Sequence, residues 1–282
     1  MSTINALLGA AAQRLQEAGY THGQREAETI LGYLTDSDTT RLFTHGSEEL
    51  PESVASRFTQ AINDRLQGKP LAYIVGSQQF LGWQLKVDER ALIPRPETEQ
   101  LVEFLVKMIR ERKFQGAKVL EVGTGSGAVA IALKKYFPSS IVTATDISPE
   151  ALELAEDNAR RLGAEIELCE SDLLEKVPKN KYDVVVANLP YVPTERLAFV
   201  SEEILDWEPM VAIDAGDDGF KYISRLLGTI QPYLAKDAII ALEMWHTHAD
   251  QIAESVDRNL PGGSVRIEPD LAGYDRFAFI TT

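Results

Sequence analysis

Asn188-Leu189-Pro190-Tyr191 follows directly on the apolar run Val184-Val185-Val186-Ala187. A short strand thus ends in an amide side chain, a stiff X-Pro step and an aromatic ring. The Asn188 carbonyl and a nearby backbone carbonyl are two acceptors that together can grip both hydrogens of a planar NH2 group, and Tyr191 can pack on its face. Such a socket suits a carboxamide or the exocyclic amine of a base. Asn and Pro together also mark ordinary strand-ending turns. The glycine-rich turn upstream favours the socket.

That turn is Val119-Leu120-Glu121-Val122-Gly123-Thr124-Gly125-Ser126-Gly127. It reads as a strand entering a tight loop that opens a helix. Glycines let a ligand approach the backbone, and a helix N-terminus favours an anionic group. The pattern resembles the dinucleotide fingerprint and by itself does not separate NAD from S-adenosylmethionine. Asp146 ends the next strand about 20 residues on, where a carboxylate accepts ribose hydroxyls. Ser148-Pro149-Glu150 caps the helix that follows. Ser171-Asp172-Leu173 comes after the third strand and should border the base of a nucleoside. Asp172 there either accepts from its amino group or caps a helix. Glu121, inside an apolar strand, either faces a cationic group of the ligand or is satisfied by the backbone.

Other polar residues read as structural. Cys169, the sole cysteine, falls in the alternating Ile166-Glu167-Leu168-Cys169 and reads as a small strand residue. It excludes a disulfide framework and a cysteine-built metal site. His246 and His248 follow Glu243 without the spacing of a helical zinc pair, so no metal is expected. Asp214-Ala215-Gly216-Asp217-Asp218-Gly219 lacks the ligand pattern of a calcium loop, with Arg225 at the closing position, and reads as a turn.

Helical spacing runs through residues 1–67: Leu7, Leu8, Ala11, Leu15 and Ala18, then Ala27, Ile30, Leu31 and Leu34, then Val54, Phe58, Ile62 and Leu66. Pro51 opens the last of these. Residues 68–96 form a linker. Within it Tyr73-Ile74-Val75, Phe80-Leu81, Trp83, Leu85 and Val87, punctuated by Gly76 and Gly82, predict a β-hairpin. Pro96 or Thr98 starts a helix reaching Lys113. From 118 on, strands near 118–122, 141–146, 165–169, 184–187, 238–244, 265–268 and 277–281 alternate with helices near 127–136, 149–162, 219–234 and 248–259. This predicts an α/β, doubly wound, mostly parallel seven-stranded sheet. Its last two strands have no room for a helix between them and should pair as an antiparallel edge hairpin.

The chain has 282 residues, 44% of them hydrophobic and 25% charged, as in an ordinary globular protein of two domains. No membrane span or signal-peptide pattern is read, and a cytoplasmic monomer is expected. The net charge of −15 argues against direct nucleic-acid binding and suits a protein partner with a basic surface.

Together these residues resemble a class I S-adenosylmethionine-dependent methyltransferase. Gly68-Lys69-Pro70-Leu71-Ala72-Tyr73-Ile74-Val75-Gly76, Ile93-Pro94-Arg95-Pro96-Glu97-Thr98-Glu99 and Asp270-Leu271-Ala272-Gly273-Tyr274-Asp275-Arg276 narrow the resemblance to the peptide chain release factor glutamine methyltransferases, the HemK/PrmC family. It extends over nearly the whole chain. It implies a Rossmann-like methyltransferase domain over 97–282, and a helical domain over 1–67 that docks the substrate. The reaction it implies is methylation of the glutamine amide in the Gly-Gly-Gln motif of release factors. S-adenosylmethionine would be the methyl donor and S-adenosylhomocysteine the product. The implied cofactor-binding residues are Glu121, Gly123, Thr124, Gly125, Ser126, Gly127, Asp146, Ile147, Asp172, Leu173 and Asn188. Those implied at the substrate are Asn188, Leu189, Pro190, Tyr191 and Arg95, with Asn188, Pro190 and Tyr191 catalytic. The family's motif is Asn-Pro-Pro-Tyr. Leu189 stands for the first proline and keeps the backbone carbonyl. Glutamine methylation of a ribosomal protein and adenine N6 methylation use the same socket. A dinucleotide-dependent oxidoreductase would leave the Asn188 motif unexplained.

Overall fold

Five helices open the chain in the computed structural model, which describes residues 3–114 and 116–282. They are α1 (Ile4–Glu17), α2 (Gly23–Thr35), α3 (Thr39–Thr44), α4 (Glu52–Leu66) and α5 (Leu71–Val75). Side-chain caps start two of them: Thr3 accepts from the Ala6 amide and Asp38 from the Arg41 amide. Their apolar stripes meet in one core that includes Leu8, Leu15, Ala27, Ile30, Phe58 and Ile62.

The stretch Tyr73-Ile74-Val75, expected as strand, is helix α5. Pro70 and the left-handed Gly76 (φ 66°) bound it. Val75 is buried in the helical core, with Leu71 and Ile74 packed against it. Packing overrides the β-propensity of these residues. One compact unit therefore comprises residues up to Ser77 together with Ser201–Trp207. That returning segment carries α9 (Glu202–Trp207). Arg65, 5% exposed, holds it. Its guanidinium donates to Glu26 at 2.6 Å, Glu203 at 2.8 Å and the Lys69 carbonyl at 3.0 Å, and lies 4.2 Å from the centre of the Tyr20 ring.

The second unit covers Gln78–Val200 and Glu208–Thr282. The hairpin β1 (Ser77–Phe80) and β2 (Trp83–Lys86) turns through Leu81 and Gly82, both at positive φ, as a tight two-residue turn requires. Then follow α6 (Pro96–Arg112), β3 (Lys118–Val122), α7 (Ala128–Tyr136), β4 (Ile141–Asp146), α8 (Pro149–Leu162), β5 (Glu167–Glu170) and β6 (Tyr182–Ala187). After α9 come α10 (Lys221–Thr229), β7 (Leu234–Glu243), α11 (Ala249–Asn259), β8 (Ser264–Pro269) and β9 (Asp275–Thr281). Helix α10 is shorter than its pattern suggested. A 3-10 turn at Gln231–Tyr233 containing Pro232 ends it, and β7 starts at Leu234.

The seven strands lie in the order β5-β4-β3-β6-β7-β9-β8. Six run in one direction, and β9 alone runs antiparallel, to both of its neighbours β7 and β8. Both faces of the sheet are covered, so its strands are nearly continuously apolar. Alternation assigns each side chain a face. Val119, Val184, Val186, Ile239 and Ala241 join the core under α6 and α7. Leu120, Val122, Val185, Ala187, Ile240 and Leu242 join the core under α10 and α11. The chain order reverses between β3 and β6, and a crevice opens outside the carboxyl ends of strands at such a switch point. No helix among the described residues is long and apolar enough to cross a membrane.

Candidate active site

β3 and β6 end side by side, with Val122 paired to Thr145 on one side and Ala187 on the other. The glycine turn and Asn188 therefore emerge next to each other. The turn is fixed from three sides. The Gly123 and Thr124 amides both donate to the Thr145 carbonyl at 2.8 Å. The Gly125 amide donates to Asp146 Oδ2 at 2.8 Å. Asn158 Nδ2, from α8, donates to the Ser126 carbonyl at 2.9 Å. Gly123 has φ 79°, and a Cβ there would stand 3.0 Å from Leu189 Cδ2. Gly127, φ 84°, caps α7, and a Cβ there would stand 3.1 Å from Ala155 Cβ. Both glycines are required by conformation and by space. Leu189, 5% exposed, thus uses its side chain to pack over the turn.

A cleft of about 1080 Å³, part of it open to solvent, lies over these strand ends. Glu121, Gly123, Thr124, Gly125, Ser126, Asp146, Ile147, Asp172, Leu173, Asn188, Leu189, Pro190 and Arg95 all line it. Gly127 and Tyr191 lie outside the lining. Gly127 serves the helix start. Tyr191 sits behind Asn188, its hydroxyl donating to Glu243 Oε1 at 2.9 Å and its ring 6.3 Å from that of Trp245.

Two acids, Glu121 and Asp146, line the cleft. Glu121 is 3% exposed, and its Oε2 accepts from the Thr124 hydroxyl at 2.6 Å and the Ala130 amide at 2.9 Å. Burial pushes its carboxyl up to about 8 against those two hydrogen bonds, and the neighbouring Asp146 adds to the rise. Burial also raises Asp146, opposed by the amides of Ser148, Gly125 and Ile147. Asp172 makes an ion pair with Arg225 at 2.9 Å. Leu173, at φ 50°, turns the chain beside it.

The cleft's cations are already paired. Arg90 meets Asp88 at 2.8 Å. Arg95 pairs with the buried Glu208, which also accepts from the Ile93 amide at 2.9 Å, so the proline-arginine block is braced against Glu208-Pro209. A pyrophosphate would meet the buried Glu121, the half-buried Asp146 and no uncommitted arginine among these. A ligand carrying ammonium and sulfonium charges would meet the acids as counter-ions, and its ribose would find Asp146. The residues present therefore fit S-adenosylmethionine better than a dinucleotide.

Three polar residues in or beside the cleft have no site role in the sequence reading: Thr98, which lines it, Glu243 and Asn158. Thr98 and Glu243 connect Asn188 to Tyr191, and Asn158 pins the glycine turn. His248 precedes α11, its Nε2 lies 3.0 Å from the Asp218 carbonyl, and burial lowers its pKa. In the acidic loop Asp214 accepts from Thr194 and the Gly216 amide, and Asp218 from the Phe220 amide, as turn residues do.

The doubly wound sheet with β9 alone antiparallel, the glycine turn and Asn188 emerging beside it at the end of β6 are the arrangement of a class I methyltransferase. The catalytic domain of hMettl16 in complex with MAT2A 3'UTR hairpin 6 shares this fold, with a TM-score of 0.57 at 12% identity over 82% of each chain. Two family descriptions match: PrmC N-terminal domain over residues 6–76 and Methyltransferase small domain over 97–206. The release factor glutamine methyltransferase of Koribacter versatilis is 36% identical over 97% of this chain and 96% of its own. That of Moorella thermoacetica is 38% identical over 97% and 96%. The chain belongs to the release factor glutamine methyltransferase family.

Proposed function

We propose that the protein transfers the methyl group of S-adenosylmethionine to the side-chain amide nitrogen of glutamine in the Gly-Gly-Gln motif of peptide chain release factors. Asn188, which lines the same cleft as Glu121, the glycine turn and Asp146, is the observation that carries this reading. Bound S-adenosylmethionine supplies an electrophilic methyl on a sulfonium that is itself a good leaving group. The Asn188 and Leu189 carbonyls accept the two amide hydrogens of the glutamine. They hold its nitrogen in line and favour the positive charge that develops there. The nitrogen–carbon bond forms as the sulfur–carbon bond breaks, S-adenosylhomocysteine leaves, and one amide proton passes to solvent. Glu121, the glycine turn, Asp146, Ile147, Asp172 and Leu173 hold the cofactor. Pro190 stiffens the turn that aims Asn188.

Labelled S-adenosylmethionine should transfer label to purified release factor and not to a variant whose Gly-Gly-Gln glutamine is alanine. Label on both would place the target elsewhere. Label on neither, with cofactor binding intact, would move the assignment to a ribosomal-protein glutamine and then to adenine.

The helical unit docks the release factor in this reading, with acidic surface meeting basic surface. KM for intact release factor should then rise with salt, while KM for a short Gly-Gly-Gln peptide should not. Equal salt dependence for both substrates would remove the docking role.

A further inference from the structure

Asn188 hangs from the end of β6, Glu243 closes β7, and Thr98 lies in the first turn of α6. Strand alternation explains their meeting: Val184, Val186 and Asn188 share a face with Ile239, Ala241 and Glu243, and α6 covers that face. Asn188 Nδ2 lies 3.0 Å from Thr98 Oγ1, and Thr98 Oγ1 lies 2.8 Å from Glu243 Oε2. The other Glu243 oxygen receives the Tyr191 hydroxyl at 2.9 Å. Thr98 is 5% exposed and Glu243 1%, so water does not compete for these bonds.

Burial raises the Glu243 carboxyl, and the Thr98 and Tyr191 hydroxyls that donate to it oppose the rise; with Glu243 ionised, the order of donors is fixed. A carboxylate only accepts, and a threonine hydroxyl has one hydrogen. That hydrogen goes to Glu243, so the Thr98 oxygen can only accept from Asn188. The Asn188 amide must turn its NH2 to Thr98 and present its carbonyl at the other end. We propose that Glu243 and Thr98 are positioning residues that set the direction of the Asn188 amide. An acceptor, not a donor, then meets the substrate NH2. This inference rests on Asn188 acting as the amide socket proposed above. Glu243 suits the task because it has two acceptor ends and no donor. It takes the Thr98 and Tyr191 hydroxyls at once and fixes both ends of the Asn188-Leu189-Pro190-Tyr191 segment.

Substitution separates this from a packing role. Glu243→Gln keeps the shape but has one acceptor end, so either Thr98 or Tyr191 must become an acceptor. If it is Thr98, its hydrogen passes to Asn188 and draws the Asn188 carbonyl away from the cleft. Thr98→Val keeps the volume and removes the relay. Thr98→Ser keeps the hydroxyl with less packing. The full-length variants would be assayed with labelled S-adenosylmethionine and release factor, together with Asn188→Ala, and each measured for cofactor affinity and Tm. Thr98→Val and Glu243→Gln should lose about 10- to 100-fold in kcat. Their cofactor dissociation constants should stay within about 3-fold. Thr98→Ser should recover most of the loss. Wild-type kcat in Thr98→Val, or equal loss in Thr98→Ser and Thr98→Val, overturns the relay. The Thr98 pair decides even if Glu243→Gln fails to fold. Asn188→Ala near wild type would overturn the socket itself, whereas an inactive Asn188→Ala beside a fully active Thr98→Val would overturn the relay alone.

Discussion

Asn188→Ala loses about 1000-fold or more in kcat, while its dissociation constant for S-adenosylmethionine moves by no more than about 3-fold. The asymmetry follows from where Asn188 sits. The glycine turn, Glu121 and Asp146 line the cleft and are held by bonds that do not involve Asn188. An amide nitrogen is a poor nucleophile because its lone pair is delocalised. It reacts only when held in line while charge accumulates on it. Truncating Asn188 removes one of two acceptors that do both. It also leaves the Thr98 hydroxyl without the donor that now reaches it at 3.0 Å. The loss falls on kcat more than on KM, because the acceptor is worth most when the nitrogen becomes positive. Single-turnover methylation and calorimetric titration of the cofactor read the two quantities separately. Near-normal turnover in this variant sinks the assignment.

The site was legible in the sequence where it is local. The glycine turn needs left-handed backbone at fixed positions, so its residues announce it, and Asp146 follows at the length of one helix and one strand. Asn188 is legible because a strand must end there. The link through Thr98 and Glu243 is not legible, since Thr98 lies 90 residues from Asn188 and 145 from Glu243. No local rule links a helix start to a strand end so distant. A trace existed: once β6 and β7 are taken as neighbours, period two puts Asn188 and Glu243 on one face. That neighbour relation is what a single sequence withholds. Tyr73-Ile74-Val75 shows the opposite case. Its β-branched and aromatic residues spoke for a strand, yet Pro70 and Gly76 cut it to one helical turn, and a core waited for its apolar side. The bond from Arg65 to Glu203 spans 138 residues and ties a late segment to the first helices. Nothing in the composition of Ser201–Trp207 foretells it.

Glu121→Gln raises the Tm of the ligand-free protein at pH 8 and leaves it little changed near pH 5. In the native state the Glu121 carboxyl is held near 8 from an ordinary value of 4.5, chiefly by burial. Between these values the folded protein keeps a proton that the unfolded chain has released. Stability therefore falls as pH rises through that window, and the cost is complete above about pH 8. The shift sets an upper bound of about 5 kcal/mol, at 1.36 kcal/mol per pKa unit. Asp146, also raised by burial, adds a cost of the same sign. Gln in place of Glu121 removes the charge yet can still accept from Thr124 and from the Ala130 amide at one oxygen, so the turn keeps its bonds. The variant's Tm should exceed the wild type's by several degrees at pH 8, with the gap closing toward pH 5. Cofactor reverses the balance. A cation beside Glu121 favours its charged form, so wild-type binding at pH 7 should release a proton, and the heat of binding should vary with the ionisation enthalpy of the buffer. Glu121→Gln should bind more weakly and release less. Parallel Tm curves for the two proteins from pH 5 to pH 8.5 would show that Glu121 stays charged in the folded chain, and the proton release on cofactor binding would go with its raised pKa.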